Sequence, residues 1–245
     1  MVRRTLRTAL VASAVSLLAA CANQPEGPFA GIDGKPLAEL DLSAAPSGLV
    51  LLGPDDVRLR QGEGLAVTVD GDRAVTQALR FAIHEDALVV LRRPGTEQAG
   101  RAVINVTMPP PQRLVAAGSG RIAAEALAGT TDVTIAGSGD INTLAIAADD
   151  LKVTIAGSGT YRAAGTATRL DLTIAGSGKA EMDALSAQGA TVRIVGSGRS
   201  AFASDGAVKA TVAGSGEVRV RGRATCEVTA TGSGRLVCAP DGPGA

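Results

Sequence analysis

Val133-Thr134-Ile135-Ala136-Gly137-Ser138-Gly139-Asp140-Ile141 is the stretch on which the fold of this chain turns. Val133, Ile135 and Ile141 are apolar and alternate with polar or small residues, and a Gly-Ser-Gly triplet interrupts them. The triplet occurs seven times, with first glycines at Gly118, Gly137, Gly157, Gly176, Gly196, Gly214 and Gly232, spaced 19, 20, 19, 20, 18 and 18 residues apart. A period near twenty predicts stacked repeats, in which no single unit can bury its own apolar face.

Counting from each triplet sorts the chain into columns. Two residues before it stand Ala116, Ile135, Ile155, Ile174, Ile194, Val212 and Ala230. Four before it stand Leu114, Val133, Val153, Leu172, Val192, Ala210 and Val228. After it, the fourth position holds Ile122, Ile141, Tyr161, Ala180, Val218 and Leu236, with Ser200 as the exception. This period of two predicts a strand on each side of a glycine corner, with one face inside. A helix needs a period of 3.6 and does not tolerate glycine at these intervals. Five before the triplet the chain reads Arg113, Asp132, Lys152, Asp171, Thr191, Lys209, Glu227, so parallel rungs in register place every adjacent charged pair of this column in opposite signs. The column just after the corners contains one like pair, Lys179 and Arg199. The corner serines are placed to form a hydroxyl ladder.

Outside the repeats, Val57–Arg60, Leu65–Asp70, Phe81–Ile83, Leu88–Leu91 and Val103–Val106 read as strands, joined by turns that include Glu85-Asp86. Pro109-Pro110-Pro111 marks the boundary with the repeats. The division expected is a leader over 1–20, a Pro-rich tether over 21–48, an N-terminal β segment over 49–112, the repeats over 113–239 and a tail over 240–245. The leader carries Arg3, Arg4 and Arg7 before the apolar stretch Ala9–Ala20 and ends in Leu18-Ala19-Ala20-Cys21. This matches the bacterial lipobox and predicts a lipid on Cys21; the alternative is an ordinary secretory signal with a chance cysteine. Ala22 rather than Asp follows, which favours anchorage at an outer membrane.

The chain of 245 residues has 24 basic and 24 acidic side chains, so nothing in its charge draws it to nucleic acid. With no Trp, one Tyr and three Phe, its core has to be built from thin repeated layers. Catalytic patterns are poorly matched. The triplet lacks the spacing of a Gly-x-Ser-x-Gly elbow, and His84 is the single histidine. Asp132 and Asp171 fall in one column two rungs apart, but charge pairing with Lys152 accounts for them better than glycoside hydrolysis. Six of seven corners lack an Asp after the triplet, against structural calcium. No cofactor and no metal are expected. Cys226 and Cys238 stand six residues before and six after Gly232 and share inward parity, which in an exported protein favours a disulfide; two buried free thiols are the alternative.

The repeat around Gly137, with its cousins at Gly157, Gly176 and Gly214, resembles the head GIN domain family of auto-transporter adhesins over about residues 48–238. The resemblance implies a parallel β-helix-like fold, a leading strand-rich segment, frequent export as a lipoprotein and a role in adhesion. It implies no catalytic residues. The expectation is therefore an all-β, parallel β-helix-like solenoid of about seven Gly-Ser-Gly-cornered rungs. It is exported to the bacterial cell envelope, held to the membrane by lipid on Cys21, and binds an envelope or surface protein or glycan. An envelope scaffold stands second, and a polysaccharide-acting enzyme third.

Overall fold

The computed structural model describes residues 31–93, 95 and 99–239. The leader expected over 1–20, Cys21 and the tail expected over 240–245 lie outside the described residues. The chain divides into a unit Met1–Asp33 and a unit Gly34–Ala245, and the second holds all the architecture below.

Four long strands form the body: β8 (Arg121–Gly137), β9 (Asp140–Gly157), β10 (Thr160–Gly176) and β11 (Lys179–Gly196). Each pairs in parallel with the next, and the Gly-Ser-Gly corners fall in register, Gly137 on Gly157, Gly157 on Gly176 and Gly176 on Gly196. A straight strand of this length could not return to stack on itself. Each one bends, and the burial pattern shows where. In β9, Ile141 and Thr143 are buried, then Ile146 and Ala148, then Leu151, Val153 and Ile155, with the alternation slipping at Leu144-Ala145 and at Asp149-Asp150. Each turn of the solenoid therefore has three short inward faces. Two later turns break at the middle bend into separate strands: β12 (Arg199–Ser204) with β13 (Ala207–Gly214), and β14 (Glu217–Arg221) with β15 (Thr225–Gly232). β16 (Arg235–Ala239) ends the stack on β14.

The corners need glycine for a steric reason. Gly137 has φ +115°, and a Cβ placed there would lie 2.6 Å from the carbonyl oxygen of Gly118 in the rung beneath. That close approach lets the chain climb: Ser138 N–H donates to Gly118 O and Ser177 N–H to Gly157 O, both at 2.9 Å. The ladder up the corner is thus made by backbone amides and carbonyls, not by the serine hydroxyls.

The N-terminal strands extend the same sheet out of chain order. β1 (Gly48–Leu52) lies between β7 (Arg113–Gly118) and β5 (Ala87–Arg92), parallel to both, and β2 (Asp56–Gln61) lies between β8 and β6 (Val103–Met108), again parallel. Between β1 and β2 the chain turns a corner that carries no triplet. Gly53, at φ +136°, donates its N–H to Ala117 O at 2.9 Å and occupies the place beneath Gly118. Beyond β5 and β6 the stack is closed by β4 (Leu79–His84), antiparallel to β5, and β3 (Ala66–Asp70), antiparallel to β6. Glu85 and Asp86, both at positive φ, make the two-residue turn from β4 to β5. A short helix, Arg73–Ala78, joins β3 to β4, capped by the Asp72 carboxylate, which accepts from Ala74 N–H at 2.8 Å. Nothing in the sequence pattern had marked it.

The interior is filled by matched columns. Tyr161, Ala180 and Ser200 stack in one column, with Ala163, Met182 and Phe202 beside them on the same strands. A large side chain in one column meets a small one in its neighbour, which keeps the volume of each layer nearly constant. This explains Ser200, which is buried beside Phe202.

Candidate functional site

The bend seven residues before each corner creates a groove that runs up the stack. One wall is the column five before the corner, and the structure places its members in register from Arg113 through Asp132, Lys152, Asp171 and Thr191 to Lys209. The other wall carries Thr130, Asp150, Arg169, Gly189 and Ala207, seven before. Between them the backbone of buried residues such as Leu151, Leu170 and Ala190 forms the floor. The groove encloses about 830 Å³. From Arg113 to Lys209 it crosses six rungs, a length of about 24 Å at the usual strand spacing.

Its charges are balanced locally. Lys152 Nζ lies 3.0 Å from Asp132, whose carboxylate also accepts from the Thr134 hydroxyl at 3.2 Å. Arg169 grips Asp150 with two bonds of 2.5 and 2.8 Å, and this raises the Arg169 pKa above its ordinary value. Asp171 turns aside to Arg193 at 2.9 Å rather than to Lys152, so the charge column pairs in part along itself and in part diagonally. Arg113 reaches the carbonyl oxygen of Glu85 at 2.6 Å. These pairs are exposed, with Lys152 61% and Arg169 72% accessible. Exposed pairs of this kind add little to stability, so exchanging one for a ligand's charge costs little. Towards Lys209 the walls become small and neutral at Gly189, Thr191 and Ala207.

A second charged face lies after the corners. Arg121 pairs with Asp140 at 3.4 Å, and Glu217 accepts from Arg219 at 2.8 Å and Arg235 at 3.2 Å, which lowers its pKa with Arg219 the larger cause. Lys179 and Arg199 stand directly stacked as the like pair the sequence showed.

The residues weighed for catalysis do not converge. His84 sits exposed at the end of β4, and Asp132 and Asp171 are each committed to a different cation. Among the described residues no three His, Cys, Asp or Glu side chains group to hold a metal, and no helix is long and apolar enough to cross a membrane. Cys226 and Cys238 are joined by a disulfide across the last corner. The Asp150–Arg169 wall escaped the column count, although it lies only two places before the column read from the sequence.

The sequence matches, over residues 45–224, the family described as "Putative auto-transporter adhesin, head GIN domain". The chain belongs to the head GIN domain family. Solved structures share the fold of this head GIN chain at low identity. A putative adhesin from Bacteroides fragilis superposes with TM-score 0.74 at 17% identity, covering 80% of this chain and 94% of that one. A putative adhesin from Parabacteroides distasonis gives 0.66 at 17%, covering 81% and 94%. A protein from the same organism described as a putative lipid binding protein gives 0.63 at 18%, covering 82% and 94%. No curated protein matches the head GIN sequence.

Proposed function

We propose that this head GIN protein is a non-enzymatic binding module of the bacterial cell envelope, anchored at the outer membrane by lipid on Cys21, that holds an extended protein or glycan chain in the groove between the Asp150–Arg169 and Asp132–Lys152 walls. The groove carries the reading. It is long, open and continuous over six rungs, and its exposed ion pairs can be traded for ligand charges of either sign. Family membership supports an adhesive role, and the leader ending at Cys21 supports export with a lipid anchor.

The test joins location to binding. Protease shaving of live cells is expected to cleave the protein, and Cys21→Ser to release it from the membrane fraction. Purified protein is expected to bind envelope polymers or intact cells, and the double variant Lys152→Glu, Arg169→Glu to weaken that binding at least tenfold. Equal binding by the double variant removes the groove from the reading; hydrolysis of a glycan removes adhesion from it. Binding only to the host's own envelope favours a scaffold, a second reading supported by the last rung of the solenoid, whose outer edge is unpaired among the described residues.

A further inference from the structure

The two ends of the solenoid differ. At one end the antiparallel strands β3 and β4 close the stack. At the other, β15 pairs only with β13 and β16 only with β14, so among the described residues the outer edge of both strands is unpaired. The core columns run out into the open there. Val133, Val153, Leu172 and Val192 are fully buried and Ala210 is 3% accessible, but Val228, next in the same column, is 47% accessible. Ala230 and Cys238 are exposed as well, and Val237 is 41% accessible. The disulfide across the last corner ties β15 to β16 and holds this rung in shape. Repeat stacks need their terminal unit covered, and an open strand edge is a template for another strand.

We propose that the open rung is covered by the same rung of a second copy, tail to tail. The surface to be matched is a bent layer of two strands around a corner. A lone strand from a partner would cover β15 or β16 but not both. A second copy offers the same outline, and its opposite end, where β3 and β4 run antiparallel to β6 and β5 and Val75, Leu79 and Phe81 are buried, offers a different one, so the contact closes as a two-fold pair instead of growing into a fibre. A dyad through Ser233 sets corner on corner and runs β15 antiparallel to β16 of the second copy. Ala230 then meets Leu236, Val228 meets Cys238, and Thr229 meets Val237. Inward residues lie on inward residues, and the half-exposed apolar groups are covered. The charges are compatible: Glu227 faces Ala239 and Arg235 faces Thr231, so no like charges meet.

Sedimentation of the full chain in mild detergent tests this. The unaltered protein is expected to show twice the single-chain mass. Val228→Lys, at a position already half exposed in one chain, is expected to give single chains with an unchanged circular dichroism spectrum. Val237→Asp, on the outer side of the seam, is expected to weaken pairing at least tenfold. Val195→Lys, 59% accessible on a side face, is expected to leave the pair intact. A single-chain mass for the unaltered protein overturns the proposal. So does a pair that survives both seam variants, or a different protein recovered in equal amount on this edge.

Discussion

Tyr161 fills the core column between Ile141 and Ala180 and is completely buried. Neither its hydroxyl nor that of buried Thr143 completes a hydrogen bond of ordinary geometry. Burial pushes the phenol pKa well above its ordinary value, with the neighbouring Thr143 hydroxyl opposing the shift. The folded chain therefore keeps a proton that the unfolded chain loses near pH ~10. The stability this represents is complete below that pH and is lost as pH rises above it. Because Tyr161 is the only tyrosine in a chain without tryptophan, phenolate absorbance reports on it alone. Ionisation is expected to be delayed until the protein unfolds, and Tyr161→Phe to flatten the decline of stability above pH ~10. Tyr161→Phe combined with Thr143→Val removes both unpaired hydroxyls and is expected to stabilise by about 1–2 kcal/mol in urea unfolding. A loss of stability would mean that a buried water satisfies them. The glycines give a second residue-scale contrast. Gly137→Ala is expected to cost on the order of 2–3 kcal/mol, from positive φ and the clash with Gly118 O. Gly189→Ala, with its closest foreign atom at 3.5 Å, is expected to stay within about 0.5 kcal/mol.

Among the elements, the corner between β1 and β2 is the one the repeat pattern conceals. Asp55, 1% accessible, binds Arg92 of β5 through both oxygens at 2.7 and 2.8 Å and accepts from Ala102 N–H at 2.8 Å. This bond to Asp55 also raises the Arg92 pKa. The pair does by charge and hydrogen bonding what the next rung's glycines do elsewhere: it fixes the corner in place. Asp55→Ala leaves the Arg92 cation with little solvent and is expected to destabilise by about 3–5 kcal/mol in chemical unfolding. A cost below about 1 kcal/mol would assign the corner to backbone bonding alone. At the other end, the disulfide closes a loop of 12 residues' separation around the final corner. Mass spectrometry without reduction is expected to recover Cys226 linked to Cys238. With both changed to Ser, hydrogen exchange over 225–239 is expected to quicken while β8 to β11 keep their protection, since each rung touches only its neighbours. Two alkylatable thiols in the unaltered protein would refute the link.

For the whole molecule, the repeat makes rungs equivalent in shape but leaves their surfaces individual, and binding follows the surfaces. The groove lies along a bend with no fixed residue to announce it: seven before the corner stand Thr130, Asp150, Arg169, Gly189 and Ala207, which share no chemistry. Register, however, was legible, because Arg113, Asp132, Lys152 and Asp171 alternate in sign at the spacing of the triplets. Columns of Val and Ile at even offsets similarly identified the inward faces, since a strand exposes alternate residues to opposite sides. The sequence by itself determined the parallel stack, its period, its corner glycines and most of its core, all of which depend on spacing along the chain. Only the tertiary structure decided that β1–β2 sits between β5–β6 and β7–β8, that Asp55 meets Arg92, and that among the described residues one end is capped while the other is open. Those are contacts between segments far apart in the chain, settled by which strand edges remain unpaired when the stack closes, and no local pattern encodes them.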